Sequence, residues 1–247
     1  MFPKCDDIDW RFINLSHRTD RLEHIRRQLS RAGIVAERFP AFVKEQYVGS
    51  LENVQLMLGT PNTIGNWLSH TALWRLAAER GRDVGVLEDD ALLCSDFRAR
   101  MDYIHEKWDK PWDIFYLGAT YHINPGGVWH PELGTDYELT SVRHIHRVYG
   151  AFSNQGYVVN HESAAKIYDM VNGIMSKSKG SDHALIQVQP MLQCFSFTPG
   201  MVFQIDGPSD IGQGVTRFSH FRESLGSYVW CDSLEDFDYD SFFGSGE

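Results

Sequence analysis

Residues 84 to 90, Val-Gly-Val-Leu-Glu-Asp-Asp, pass directly from an apolar run into three consecutive carboxylates. Val84, Val86 and Leu87 suit a strand covered on both faces, as in a parallel sheet. In open α/β sheets the ligand site lies just beyond the carboxyl ends of the strands. Side chains alternate along a strand, so Glu88 and Asp90 are expected to point one way and Asp89 the other. Two hard oxygen donors on one face, with a third beside them, suit Mg²⁺ or Mn²⁺ completed by a phosphate. An acidic triplet also decorates the N-terminal turns of surface helices, where the macrodipole stabilises it. That reading stays open from these seven residues alone.

The chain has 247 residues, 43% of them hydrophobic, enough for one large α/β domain with a full core. Its net charge of −10 argues against a general nucleic-acid binder, which needs a basic footprint. The charge is uneven. Asp232, Glu235, Asp236, Asp238, Asp240 and Glu247 crowd the last stretch, while Arg18, Arg21, Arg26, Arg27 and Arg31 make the start locally basic. Cys5, Cys94, Cys194 and Cys231 show no paired spacing, so neither a zinc site nor a disulfide framework is indicated, and a reducing, cytoplasmic setting is expected. There is no leader-like segment and no apolar run near the ~20 residues that span a bilayer. A soluble protein without a transmembrane segment is expected.

Strands are predicted at Trp10–Leu15, Ile34–Phe42, Val84–Leu87, Trp112–Gly118, Ser141–Tyr149, Gly156–Asn160, Cys194–Phe197 and Met201–Ile205. A helix is predicted to follow the first strand, with Asp20 and Glu23 in a capping-box spacing, Leu22, Ile25, Leu29 and Ala32 on one face, and Gly33 as its stop. Residues 44–62 read as irregular. The next helix, Ile64–Arg80, is expected to bury Ile64, Trp67, Leu68, Thr71, Trp74 and Ala78. Further helices are predicted at Phe97–Trp108, Glu162–Val171 and His183–Gln189. Residues 119–140, with Asn124-Pro125-Gly126-Gly127, read as a long loop. Helices alternate with strands early and give way to strands later. The pattern fits one α/β domain over 1–230, a mixed sheet flanked by helices, with a Rossmann-like nucleotide-binding half and an irregular acceptor half. Residues 231–247 form an acidic aromatic tail, either disordered or docked.

Three segments carry a joint resemblance. Ile13-Asn14-Leu15 with Arg18, Asp20 and Arg21 resembles the opening "I-N-L-x-x-R-x-D-R" of glycosyltransferase family 25, which includes lipo-oligosaccharide and collagen galactosyltransferases. Leu68-Ser69-His70-Thr71-Ala72-Leu73-Trp74 resembles its "S-H-x-x-L-W" helix. Leu87-Glu88-Asp89-Asp90 resembles its "E-D-D" segment, a version of the Asp-x-Asp motif of metal-dependent sugar transferases. Weaker echoes follow in order: Gly156-Tyr157-Val158-Val159 with Ala164 and Ala165, Ser181-Asp182-His183, then Pro199 through Gln204 to Ser209-Asp210-Ile211. Together they cover roughly residues 10 to 212.

The resemblance implies a GT-A-like fold and transfer of a hexose, galactose or glucose, from a UDP-sugar to a hydroxyl of a glycan or glycoprotein. A divalent ion, Mn²⁺ or Mg²⁺, would bridge the leaving diphosphate and the Glu88 and Asp90 carboxylates. Asn14 and Leu15 are expected to meet base and ribose, with Asp89 beside them at the donor. Arg18 and Arg21 either bind phosphate or pair with acids; for Arg18 a solvated helix face is the alternative, and Arg21 is expected to hold Asp20 or a core carboxylate. Inversion, which the family implies, needs a general base, and Asp182 is the choice. Asp182 also suits a helix cap, where the terminus would lower its pKa. Gln204 matches a family position for a third metal ligand, with Asp206, Asp210 and His220 as rivals. His70 reads as a hydrogen-bonded structural histidine, and His144, His146, His161 and His183 show no recurring metal-binding spacing. Trp67 and Trp74 read as packing, and Tyr121 and Trp129 as loop aromatics able to stack on a sugar.

Two features depart from the family pattern. The acidic tail stands where many members carry a basic or membrane-associating extension, and segment 119–147 has no recognisable counterpart. Two other classes fit parts of the pattern: a non-catalytic relative that binds nucleotide sugar or glycan, and a metal-dependent phosphohydrolase. The latter normally needs a denser His/Asp constellation.

Overall fold

A computed structural model describes residues 1–49, 62–121, 137–175, 178, 180–212, 214–217, 219 and 230–244. The strands are β1 Asp9–Asn14, β2 Glu37–Pro40, β3 Val84–Glu88, β4 Ala91–Leu93, β5 Ile114–Tyr121, β6 Tyr137–Leu139, β7 Ile145–Val148, β8 Ala151–Val159, β9 Cys194–Phe197, β10 Val202–Gln204, β11 Gly207–Pro208 and β12 Val215–Thr216. The helices are α1 Thr19–Ala32, α2 Asn62–Arg80, α3 Phe97–Lys107, α4 His161–Gly173, α5 Ser181–Val188 and α6 Tyr239–Phe243. Eight strands form one mixed sheet in the order β2-β1-β3-β8-β5-β9-β7-β6. β1 lies parallel to β2 and β3, and β5 lies parallel to β9, while β8 runs antiparallel between β3 and β5. The carboxyl ends of β1, β3, β5 and β9 therefore open on one edge, together with the start of β8.

Alternation sends Leu87, Trp10, Phe12 and Phe115 to one face, where α1 and α3 bring Ile25, Leu29, Phe97, Met101 and Ile104. Val84, Val86, Ile114 and Tyr116 go to the other, against Trp67 and Trp74 of α2, Ile167 of α4 and Leu185 of α5. β3 is buried along Val84–Leu87 because both faces are covered, though its neighbours are one parallel and one antiparallel strand.

Several sequence expectations need correction. α1 begins at Thr19, with Arg18 at its N-cap and no side-chain cap there, so Asp20 lies inside the first turn rather than closing a capping box. Gly33 does end the helix, at φ 65°, with its N–H on the last-turn carbonyls. In α2 the residues buried beside Ile64, Trp67, Thr71 and Trp74 are Thr63, Gly65, Ser69, His70, Leu73 and Ala77, with Leu68 and Ala78 only half-buried. Helix α2 packs on the sheet and on α4 together, and so buries a wider arc than one stripe. Gly118 does not end its strand, which continues to Tyr121. The glycine instead lets the Val202 carbonyl come so close that a Cβ would overlap it, and Gly156 on β8 meets the Val202 side chain in the same way. Met201 N–H donates to Leu117 O at 2.6 Å at this crossing. β10 is thereby pressed over β5 and β8 and pairs with β4, Gln204 opposite Ala91.

Residues 230–244 are docked, resolving the alternative for that part of the tail. Asp232 bonds Ser95, and Leu234 N–H donates to Asp96 at 2.8 Å. The Tyr239 hydroxyl meets His146 Nε2 at 3.0 Å, while Arg143 pairs with Asp240. All four cysteines are free and buried. Among the described residues no helix is long and apolar enough to cross a membrane.

Candidate active site

The turn Asp89–Asp90 between β3 and β4 lies at the open sheet edge, beside Asn14 at the end of β1. A cavity of about 580 Å³ opens there, within the range of about 300–1,000 Å³ common for small-molecule sites. Asn14, Leu15, Arg21, Glu88, Asp89, Asp90, Asp182 and Gln204 all line it. Six of these lie on β1, α1, β3, its following turn and β10, and Leu15 directly follows β1; Asp182 comes from the far side, on the first turn of α5.

The carboxylates divide as alternation anticipates, although a turn rather than a continued strand directs them. Gln204 Nε2 lies 3.0 Å from Glu88 Oε2 and 3.4 Å from Asp90 Oδ1, so Glu88 and Asp90 converge on one point. Asp89 faces β1, where Asn14 Nδ2 donates to it at 2.7 Å. Arg21 Nη1 lies 3.0 Å from both Asp89 and Asp90, which settles its partners as core carboxylates and not Asp20. Asp20 is held by Arg18 instead. Arg18 is not a solvated side chain: it is 11% exposed and pairs with Asp20 at 2.9 Å and with Asp210, and it is Asp210, not Arg18, that lines the cavity. Arg21 also donates to Pro208 O at 2.8 Å, so the two arginines tie α1 to the β11–β12 hairpin.

Burial and crowding set the protonation of the cluster. Burial alone would raise the Glu88 carboxyl, but the hydrogen bonds from His70 and Asn66 and the Arg21 charge work against it, and the Glu88 carboxyl lies below its ordinary value. Asp90 is pushed up to about 7 by burial and by the Glu88 charge. Burial likewise raises Asp89. One carboxylate is thus charged, and its neighbour resists ionisation even with Arg21 beside it, because burial and the Glu88 charge outweigh that arginine. A divalent cation would add positive charge there, and Gln204 turned over would offer Oε1 in place of Nε2. Among the described residues no group of three His, Cys, Asp or Glu side chains forms a metal site. Two carboxylates and an amide leave positions for a phosphate-bearing ligand, so this donor set fits Mg²⁺ or Mn²⁺. Of the rival ligands, Asp206 accepts from Ser219 and Asp210 from Arg18, while His220 lies outside the described residues.

Asp182 is placed by Gly180 and Ser181 at the start of α5, and His183 N–H donates to it at 2.8 Å. The expectation of a lowered pKa fails. Burial pushes the Asp182 carboxyl up and the Glu88 charge adds to it, outweighing the His183 side chain and backbone N–H. Its altered basicity favours proton acceptance rather than permanent charge.

His70 is structural in its burial, yet it reaches the site: Nε2 lies 3.3 Å from Glu88 Oε1 and Nδ1 2.9 Å from the Tyr157 hydroxyl. Asn66 was missed. It donates to Glu88 Oε1 at 3.2 Å and accepts from Ser181 Oγ at 2.8 Å. Its spacing of four from His70 puts both on one face of α2, a signal present in the sequence. Asn154 and Tyr157, by contrast, reach the site network through β8, a strand whose place between β3 and β5 no local pattern reveals. Trp67 and Trp74 are buried, as expected. Trp129 lies outside the described residues; Tyr121 belongs to β5 rather than a loop.

Residues 11–183 match the family model described as Glycosyltransferase family 25 (LPS biosynthesis protein), which is well over half of the chain. The chain belongs to glycosyltransferase family 25. It is therefore a glycosyltransferase, acting between a sugar donor and an acceptor, and the non-catalytic and phosphohydrolase alternatives give way. A comparison with curated proteins found no match. One solved structure that aligns with this family 25 chain is a glycosyltransferase involved in the glycosylation of the major capsid of PBCV-1. It is 9% identical with a TM-score of 0.47, covering 81% of this chain and 96% of that one. That likeness is distant and says nothing of substrate.

Proposed function

We propose that this transferase is metal-dependent and inverting, and moves a hexose, galactose or glucose, from a UDP-sugar to a hydroxyl of a glycan or glycoprotein. The observation that carries this reading is the meeting, in one cavity, of the Glu88–Asp90 cluster with Asp182 from a separate helix. Asn14 and Leu15 at the end of β1 bind base and ribose, and Arg21 keeps Asp89 turned toward β1. Glu88, Asp90 and Gln204 would hold a divalent ion, whose charge would offset that on the departing diphosphate. Asp182 takes the proton from the acceptor hydroxyl as the new bond forms to the anomeric carbon, on the face opposite the leaving group. Arg18, committed to Asp20 and Asp210, steadies the rim.

Asp182→Asn separates these roles. Donor and metal binding should stay within about twofold of wild type while transfer falls by about 10²-fold or more. Near-wild-type turnover in this variant would remove Asp182 as the base.

A further inference from the structure

Glu88 is the junction of two buried hydrogen-bond chains, and their directions can be read from their ends. In the first, Asn154 Nδ2 donates to Ser181 Oγ at 3.1 Å. The Ser181 hydroxyl proton therefore goes to Asn66 Oδ1 at 2.8 Å, which leaves Asn66 Nδ2 to donate to Glu88 Oε1 at 3.2 Å. In the second, Trp74 Nε1 can only donate, and it does so to the Tyr157 oxygen at 2.9 Å. The Tyr157 hydroxyl proton then points to His70 Nδ1 at 2.9 Å, and the remaining His70 proton sits on Nε2, 3.3 Å from the same Glu88 Oε1. Ser181, His70 and Tyr157 are fully or almost fully buried, so water does not compete for these bonds.

We infer that Asn66 and His70, one turn apart on α2, form a clamp that occupies Glu88 Oε1 and leaves Oε2, which faces Gln204 at 3.0 Å, as the oxygen Glu88 presents to the divalent ion. This inference rests on the metal reading given above and adds a selectivity to it. Calcium takes six to eight oxygen ligands and often grips both oxygens of a carboxylate, whereas Mg²⁺ demands near-ideal octahedral geometry with single-oxygen contacts. A Glu88 restricted to one oxygen disfavours the larger ion. Asn66 and His70 are positioning residues here, acting through Glu88 and not on substrate.

The test is competitive binding of Mn²⁺ and Ca²⁺ to the whole chain, with and without UDP, followed by Mn²⁺ electron paramagnetic resonance. Three proteins are compared: wild type, Asn66→Ala and the isosteric Asn66→Asp, each checked for folding by circular dichroism. Wild type should prefer Mn²⁺ strongly. Asn66→Ala should lose about 10–100-fold in Mn²⁺ affinity, the usual cost of removing a group that orients a ligand, and its Mn²⁺/Ca²⁺ ratio should shrink. Asn66→Asp, which turns the donor into a third carboxylate and leaves Oε1 to His70 alone, should gain Ca²⁺ affinity relative to Mn²⁺. If both folded variants keep the wild-type Mn²⁺ affinity and ratio, the clamp is wrong while the metal site stands. If wild type binds neither ion under either condition, the metal reading falls and the clamp falls with it.

Discussion

At the carboxyl ends of β1 and β3, Arg21 and three carboxylates are packed against Asn14, Gln204 and a neutral network on α2; at the far edge, β7 meets residues 230–244 through rings. In the first region charge is concentrated and held by hydrogen bonds across long sequence separations. In the second, His144 and His146 lie among Tyr239, Phe237 and Phe243, with centroids of 4.8 Å between His144 and Tyr239 and 4.6 Å between His146 and Phe243. The difference separates two uses of buried polar groups. The acidic edge accepts an electrostatic cost that a ligand relieves, whereas the aromatic edge keeps its histidines neutral and needs no ligand.

The largest expected effect that sharpens this contrast is the loss of transfer in Asp182→Asn. Next comes Arg21→Ala. Arg21 is 15% exposed and faces two nearly buried carboxylates, so its removal leaves both without a counter-charge. Thermal or urea unfolding should show a loss of roughly 3–5 kcal/mol. Added Mn²⁺ with UDP should restore part of it; a loss below about 1 kcal/mol would show that the cluster does not depend on this arginine.

A third prediction concerns the aromatic edge. Burial lowers the His146 pKa from 6.5 to about 4, and the neighbouring His144 adds to the effect. The depressed folded value means the stabilisation is complete above the unfolded value, near 6.5, and is lost as pH falls toward 4. A displacement of that size corresponds to roughly 3 kcal/mol. His146→Leu should flatten the stability profile between about pH 6.5 and 4, while leaving UDP binding intact. An unchanged profile would mean that another group carries the acid sensitivity. The smallest effect belongs to Arg143→Ala: the pair with Asp240 is exposed, and no resolvable change in stability is expected. A clear loss of stability there would make the tail's docking electrostatic rather than aromatic.

These two edges also differ in how far the sequence reveals them. The acidic edge is legible because chemistry restricts which residues can end a buried strand, and Val84–Asp90 carries that restriction in seven consecutive positions. Asp182 and Gln204 were reached only through family resemblance, since a lone Gly-Ser-Asp or a strand-ending glutamine has no distinctive spacing. Gly118 misled for a physical reason: a glycine that ends a strand and one that admits a crossing backbone look the same until Val202 is seen against it. Tail docking is not legible in the sequence because ring contacts among Tyr239, Phe243 and His146 span about a hundred residues and follow no period. Asn66 was available from its spacing to His70 but carries weight only once Glu88 is known to lie opposite both.

The most direct test of the account is calorimetric titration of UDP, GDP and CMP into wild type and Asp90→Asn, with and without Mn²⁺. Selective binding of UDP that requires Mn²⁺ and is lost in Asp90→Asn is the result the account predicts. UDP binding that ignores Mn²⁺ and survives in Asp90→Asn would contradict it, and would leave the Glu88–Asp90 turn as buried charge held by Arg21 and by hydrogen bonds to Asn14, Asn66, His70 and Gln204.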